Sequence, residues 1–120
     1  SMRGRFKLAN EQLDQAKSLI ADQKSLAWVF LLLERGRTHN SAGSRLEAVD
    51  YFKEAFRTAE IIGDDCLAVD AAHMVAIAET LENQMKWNVI ALGIAERSKN
   101  ERARDWLGSL YNNMAWTFFD

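Results

Sequence analysis

The sequence has 120 residues, of which 48% are apolar and 27% are charged, with no proline, six glycines and a net charge of −2. This length suits one domain with its own core, and the scarcity of proline and glycine excludes a loop-rich or β-sandwich design, so we predict a single all-α domain over residues 1–120. The near-neutral charge gives no general attraction to nucleic acid or to an anionic membrane, and we interpret the basic residues Arg3, Arg5 and Lys7 as solvated surface. The longest apolar run, residues 26–33, is far shorter than the roughly 20 residues of a membrane-spanning helix. We therefore expect neither nucleic acid nor a membrane as partner.

Turn signals divide the chain into helices. Gly43 predicts a left-handed helix end and Ser44 the start of the next helix, with Glu47 completing a Ser-x-x-Glu capping box. Gly63 and Asp64 repeat this arrangement, because glycine can close a helix and aspartate can accept the free N–H groups that open another. With softer breaks at Ser25, Asn83 and 98–101, we predict helices over residues 6–22, 26–41, 45–61, 66–81, 85–97 and 101–119.

Two spacing patterns recur with the same period of 39 to 40 residues. One is a small residue, a large residue four positions later and a small residue three positions after that; the other is a single small residue in the intervening helix. The first pattern begins at Ala9, Ala48 and Asn88, and the second falls at Gly36, Ala76 and Ala115. Antiparallel helices approach closely only where one side chain is short, so these patterns predict repeated helix pairs.

The stretch Leu32-x3-Gly36-x2-His39-x3-Gly43-x4-Ala48-x3-Phe52-x2-Ala55 resembles a tetratricopeptide repeat (TPR). The match is good for residues 29–62 and weaker for 69–99, where asparagines replace the turn glycine and the first alanine. A histidine stands where the family usually has tyrosine, the closing proline is missing, and the period exceeds the family's basic period of about 34 residues. The chain thus resembles a long-period version of the family.

This resemblance implies a right-handed solenoid of six antiparallel helices. Residues 6–22 would be a lone second helix, residues 26–61 and 66–97 two full repeats, and residues 101–119 a lone first helix. In such arrays the first helices line a concave groove that binds an extended peptide or a partner helix. The residues implied for this groove are Leu33, Arg37, Asn40, Asp70, His73, Ile77, Thr80, Asn112, Trp116 and Phe119. We therefore expect a protein-protein interaction scaffold, with a regulatory module of a larger protein as a close variant.

The last predicted helix carries apolar side chains without a predicted partner helix. Tyr111, Met114 and Phe118 would form an exposed apolar stripe, because the helix that pairs with it would begin only after Asp120. A stripe of this kind is seldom left open. We therefore predict that the chain forms homo-oligomers through this edge, or docks it against the equally unpaired first helix.

A competing hypothesis concerns Cys66, Asp70 and His73, which share one helical face at positions i, i+4 and i+7. These residue types can bind zinc or act as a nucleophile with its base, so the alternative is a small metal-binding or thiol-dependent protein. However, Cys66 and His73 are about 10 Å apart along a helix axis, too far to chelate one ion without a ligand from another helix.

The remaining motifs point away from catalysis. No glycine-rich phosphate loop, paired metal carboxylates or catalytic-triad spacing occurs, so we predict no enzyme, no catalytic residue, no resident metal and no cofactor. A lone cysteine cannot form an internal disulfide, which favours a reducing, cytoplasmic location.

Overall fold

The computed structural model describes residues 2–19, 25–99, 101–108 and 110–111. Within these ranges the chain forms α-helices joined by short turns, and no β-strand occurs, which confirms the all-α prediction. The helices are α1 (Met2–Leu19), α2 (Leu26–Ser41), α3 (Arg45–Ile62), α4 (Asp65–Ala78), α5 (Leu81–Arg97) and α6 (Glu101–Arg104). None of the helices in this part of the chain is long and apolar enough to cross a membrane.

Glycines end α2 and α3 as predicted. Gly43 and Gly63 have φ angles of 86° and 82°, in the left-handed region that side chains other than glycine rarely adopt. In each turn the N–H group after the glycine donates to the carbonyl five residues earlier, over 2.8 Å at Gly43 and 3.0 Å at Gly63. Asp64 then accepts a hydrogen bond from the backbone N–H of Leu67 at 2.9 Å, which caps α4.

The capping box predicted at the start of α3 does not form. Ser44 is the N-cap residue, but its side chain makes no capping hydrogen bond. The carboxylate of Glu47 lies beside the buried His39 instead, with Oε2 3.2 Å from Nδ1 of the imidazole, although the geometry is not that of a hydrogen bond. Glu47 thus contacts a residue of α2 instead of capping the start of its own helix.

The junction between α4 and α5 lies earlier than predicted. The break falls at Glu79 and Thr80 rather than at Asn83, and α5 begins at Leu81. The carboxylate of Glu79 accepts hydrogen bonds from the Thr80 backbone at 3.2 Å and from the Asn83 side chain at 3.3 Å. Side-chain hydrogen bonds therefore make this turn without a glycine.

The two end helices also differ from their predicted bounds. α1 begins at Met2 rather than at residue 6, and α6 ends at Arg104 in a turn over 105–106 before helical structure resumes at 107–108 and 110–111. Residues 20–22 and 112–119 of the predicted helices lie outside the described residues.

The repeated small residues lie where helices pack closely. Gly36 on α2 is buried against Phe52 on α3, which is 0% exposed. Ala48 and Ala76 are also buried. Asn88 takes the place that alanine has in the other two copies of the first pattern. It is buried on α5, and its Oδ1 has no hydrogen-bond partner among the described residues. The periodicity thus identified four buried positions, whereas Ala9 is half-buried and Ala115 lies outside the described residues.

Candidate functional site

Arg37 joins α2 to α4. Its Nη2 donates to Oδ2 of Asp70 over 3.4 Å, and its Nη1 donates to the carboxylate of Glu34, one turn earlier on α2. Arg37 and Asp70 are separated by 33 positions in the chain, and tertiary packing brings these two predicted groove residues together. The Arg37 guanidinium is therefore shared by two carboxylates on the side where α2 meets α4.

Burial shifts the pKa values of Asp70 and His73, two of the titratable groups on α4. Desolvation raises the pKa of Asp70, and the opposing attraction of Arg37 and His73 only partly offsets it. Desolvation also lowers the pKa of His73, against the opposing effect of Asp70, so the imidazole is mostly neutral near pH 7. The Arg37 guanidinium thus does not fully compensate the cost of burying the Asp70 carboxyl.

His73 extends this surface to the segment that follows α6. Its ring lies against the indole of Trp106, with ring centroids 4.9 Å apart and planes inclined by 53°. Because Arg37 contacts Asp70 and His73 contacts Trp106, side chains from α2, α4 and the segment after α6 are neighbours.

Exposed apolar side chains flank the charged centre. Phe30 is 54% exposed and lies seven residues before Arg37, and Ile77 is 49% exposed and lies seven residues after Asp70. Seven residues are nearly two helical turns, so each apolar side chain shares a helix face with its charged residue. We call this surface the α2–α4 face; its residues are Phe30, Glu34, Arg37, Asp70, His73, Ile77 and Trp106.

The definition of the α2–α4 face does not include the other predicted groove residues. Leu33 is 1% exposed and belongs to the core, so its assignment to a ligand-binding groove is wrong. α2 contacts α1, α3 and α4, which leaves little of its circumference free. Thr80 is the N-cap residue of α5 and Asn40 is half-buried near the end of α2. Asn112, Trp116 and Phe119 lie outside the described residues.

The predicted self-association edge is described only at its start. Tyr111 is exposed, and its hydroxyl donates to Oε1 of Glu96 on α5 over 2.8 Å. Its neighbour Leu110 is fully buried, a core contact that the sequence pattern did not identify. Met114 and Phe118 lie outside the described residues, so association through this edge stays a prediction.

The Cys66, Asp70 and His73 alternative finds little geometric support. No three His, Cys, Asp or Glu side chains in the described part of the chain are placed to hold a metal ion. Burial raises the pKa of the Cys66 thiol, and the negative charge of Asp64 adds to this effect. A hydrogen bond with Trp106 opposes it, and the smaller effects of Asp70 and Arg102 have opposite signs, so the net shift is upward. A nucleophilic cysteine needs the opposite shift, since the thiolate is the reactive form.

We expect Cys66 to react slowly with iodoacetamide at neutral pH. A raised pKa means less thiolate at that pH, and half-burial restricts access, so alkylation of the native chain is expected to be about tenfold slower or more than that of the urea-unfolded chain. A mass-spectrometric time course on both forms measures the difference. A native rate above the unfolded rate would revive the thiol-dependent alternative.

Packing of α1 against α2 also creates a pocket that the sequence did not reveal. It has a volume of about 350 Å³ and borders the α2–α4 face at Arg37. Arg5 and Phe6 of α1 line its other side. The sequence signal for this pocket is the basic start of the chain, and Arg5 lines the pocket rather than being only solvated surface.

Comparisons with known proteins assign no family to the chain. No family model matches it, and neither a curated protein nor a solved structure does. Any function must therefore be inferred from the geometry of the α2–α4 face and its surroundings.

Proposed function

We propose that this chain is a protein-protein interaction module that binds a peptide or partner helix on its α2–α4 face. The observation that carries this proposal is the pair of contacts Arg37–Asp70 and His73–Trp106, which combine three segments into one surface. α2 also contacts α4, and α4 contacts α6. This adjacency of alternate helices is what a TPR-like, right-handed array of helix pairs would require, and we propose that arrangement for the chain.

The chemistry of the face suits recognition rather than catalysis. Phe30 and Ile77 offer exposed apolar area that a partner would remove from water. Arg37 can donate to peptide carbonyls, and the carboxylates of Glu34 and Asp70 can accept from peptide N–H groups.

The face is held by packed helices before any partner arrives. Most of the cost of ordering on binding therefore falls on the partner. The proposal assigns this chain a scaffold role, with no catalytic residue and no cofactor.

A lysine at position 77 is expected to weaken peptide binding without weakening the fold. Peptides are first selected on the wild-type chain from a random display library, and their affinities for the Ile77→Lys variant are then measured by fluorescence anisotropy. We expect an affinity loss of about tenfold, because a charge replaces one of the two exposed apolar contacts that flank the charged centre of the face. The free energy of unfolding should change by less than about 0.5 kcal/mol, as is usual for surface positions.

Val89→Lys on α5 is the matched control, since Val89 is 51% exposed and Ile77 is 49% exposed. The control should retain wild-type affinity. Equal losses at both positions would show that the peptides bind elsewhere, and a selection that enriches no peptide would refute the proposed function.

A further inference from the structure

The pocket between α1 and α2 is large enough for a side chain of a bound partner. Its volume of about 350 Å³ exceeds the lower limit of roughly 300 Å³ for ligand pockets in proteins. Met2, Phe6 and Ala9 of α1 and Ala42 after α2 provide apolar lining. Phe6 is also held in place, because its ring packs edge-on against the buried His39 with centroids 5.1 Å apart.

The charged groups of this pocket have one sign. Its lining includes the guanidinium groups of Arg5 and Arg37 and the hydroxyls of Thr38 and Ser41, and no carboxylate lines the pocket within the described residues. Arg37 is already bonded to Glu34 and Asp70. Arg5 is exposed and forms no ion pair within the described parts of the chain, so it is the cation available to a ligand.

The end of α2 offers little to a competing cation. Its terminal carbonyl groups could attract positive charge, but those of Thr38, His39 and Asn40 already accept hydrogen bonds from N–H groups of the following turn. In addition, α1 has no acidic residue in its first turn, and Arg3 and Arg5 are both near its start. The surroundings of the pocket therefore favour an anion.

We propose that this pocket takes an apolar side chain of the bound peptide and that Arg5 pairs with an acidic side chain next to it. This inference rests on the proposed function, since the pocket borders the α2–α4 face at Arg37. The partner is thus a peptide with an apolar residue beside an aspartate or glutamate. Such a pairing would give a role to the Arg5 guanidinium, which lies at the edge of this apolar pocket and forms no ion pair with the described residues.

Parallel selections from one random peptide display library test this inference. They use the wild-type chain and the variants Arg5→Glu, Lys7→Glu and Ser41→Trp, each first checked for native helicity by circular dichroism. Lys7→Glu is the matched control, because it makes the same charge change on an exposed residue of α1 that does not line the pocket. Ser41→Trp places a large ring at an exposed lining position and obstructs the pocket.

Wild type and Lys7→Glu are expected to enrich apolar–acidic pairs about tenfold over apolar–basic pairs. Arg5→Glu should abolish or reverse this preference, and Ser41→Trp should remove the enrichment of the apolar member. The preference on wild type should also weaken when salt is raised, because an exposed ion pair is screened.

Two results would overturn the inference while the proposed function survives. One is selected peptides that lose affinity on Ile77→Lys but show no dependence on Arg5 or Ser41. The other is a combination of two observations: decanoate binds the wild type but not Arg5→Glu in a calorimetric titration, and both proteins select the same peptides. The pocket would then hold a small amphipathic anion rather than a peptide side chain. If no peptide is enriched on the wild type, the proposed function fails and this inference fails with it.

Discussion

Replacing Phe52 with alanine is expected to lower the free energy of unfolding by about 3–5 kcal/mol. The ring is 0% exposed and lies on α3 against Gly36 of α2, so its removal loses apolar burial and leaves a cavity between two helices. The free energy of unfolding of a native protein is about 5–15 kcal/mol, so the variant is expected to be marginally folded. Urea unfolding followed by circular dichroism measures the change.

Phe30→Ala is the matched control for this loss, because the same ring is removed from a side chain that is 54% exposed. Its free energy of unfolding should change by less than about 0.5 kcal/mol. Similar losses for the two variants would contradict the assignment of Phe52 to the core. Because Phe30 belongs to the α2–α4 face, its removal should instead weaken peptide binding.

Replacing Gly36 with alanine is expected to destabilise the chain by about 1–3 kcal/mol, although alanine is the better helix former. An added Cβ would lie 2.3 Å from Cε1 and 2.6 Å from Cδ1 of Phe52, so α2 and α3 would have to move apart. The clash outweighs the intrinsic preference for alanine, which is worth about 1 kcal/mol in a helix interior. Thermal and urea unfolding of the variant check the sign.

Gly93→Ala provides the opposite case within the same chain. Gly93 is also inside a helix, but its added Cβ would meet only the end of the long, exposed Arg97 side chain, at 3.4 Å from Nη1. Here the higher helix propensity of alanine outweighs the mild contact, and we expect the free energy of unfolding to rise by about 0.5–1 kcal/mol. A stabilising Gly36→Ala, or two changes of equal sign and size, would refute the close approach of α2 and α3.

The helix boundaries were predictable where a local requirement sets them. Gly43 and Gly63 were identified as helix ends because a left-handed residue is nearly always glycine, and both adopt that conformation. The break at Glu79 was missed because side-chain hydrogen bonds of Glu79 to Thr80 and Asn83, rather than a glycine, mark it. The Glu79 carboxylate also lies 3.2 Å from Nζ of Lys53 on α3, a contact that the sequence pattern does not show.

The candidate site was only partly predictable. Helical periodicity placed Asp70 and His73 on one face of α4, and both lie on the α2–α4 face. The same reasoning placed Leu33 in the groove, where it does not lie. Periodicity gives the direction of a side chain around its own helix, but it does not say how many neighbours cover that helix, and α2 is covered by three.

The sequence alone determined the helical class, the glycine turns and the buried small residues, because each depends on residues within a few turns of one another. Only the tertiary structure decided which faces stay exposed, which charges meet and where a pocket opens. Arg37 and Asp70 illustrate the difference, since 33 positions separate two groups that lie 3.4 Å apart. Such pairs depend on the packing angles and offsets of whole helices, which result from the summed contacts of many side chains rather than from any local motif.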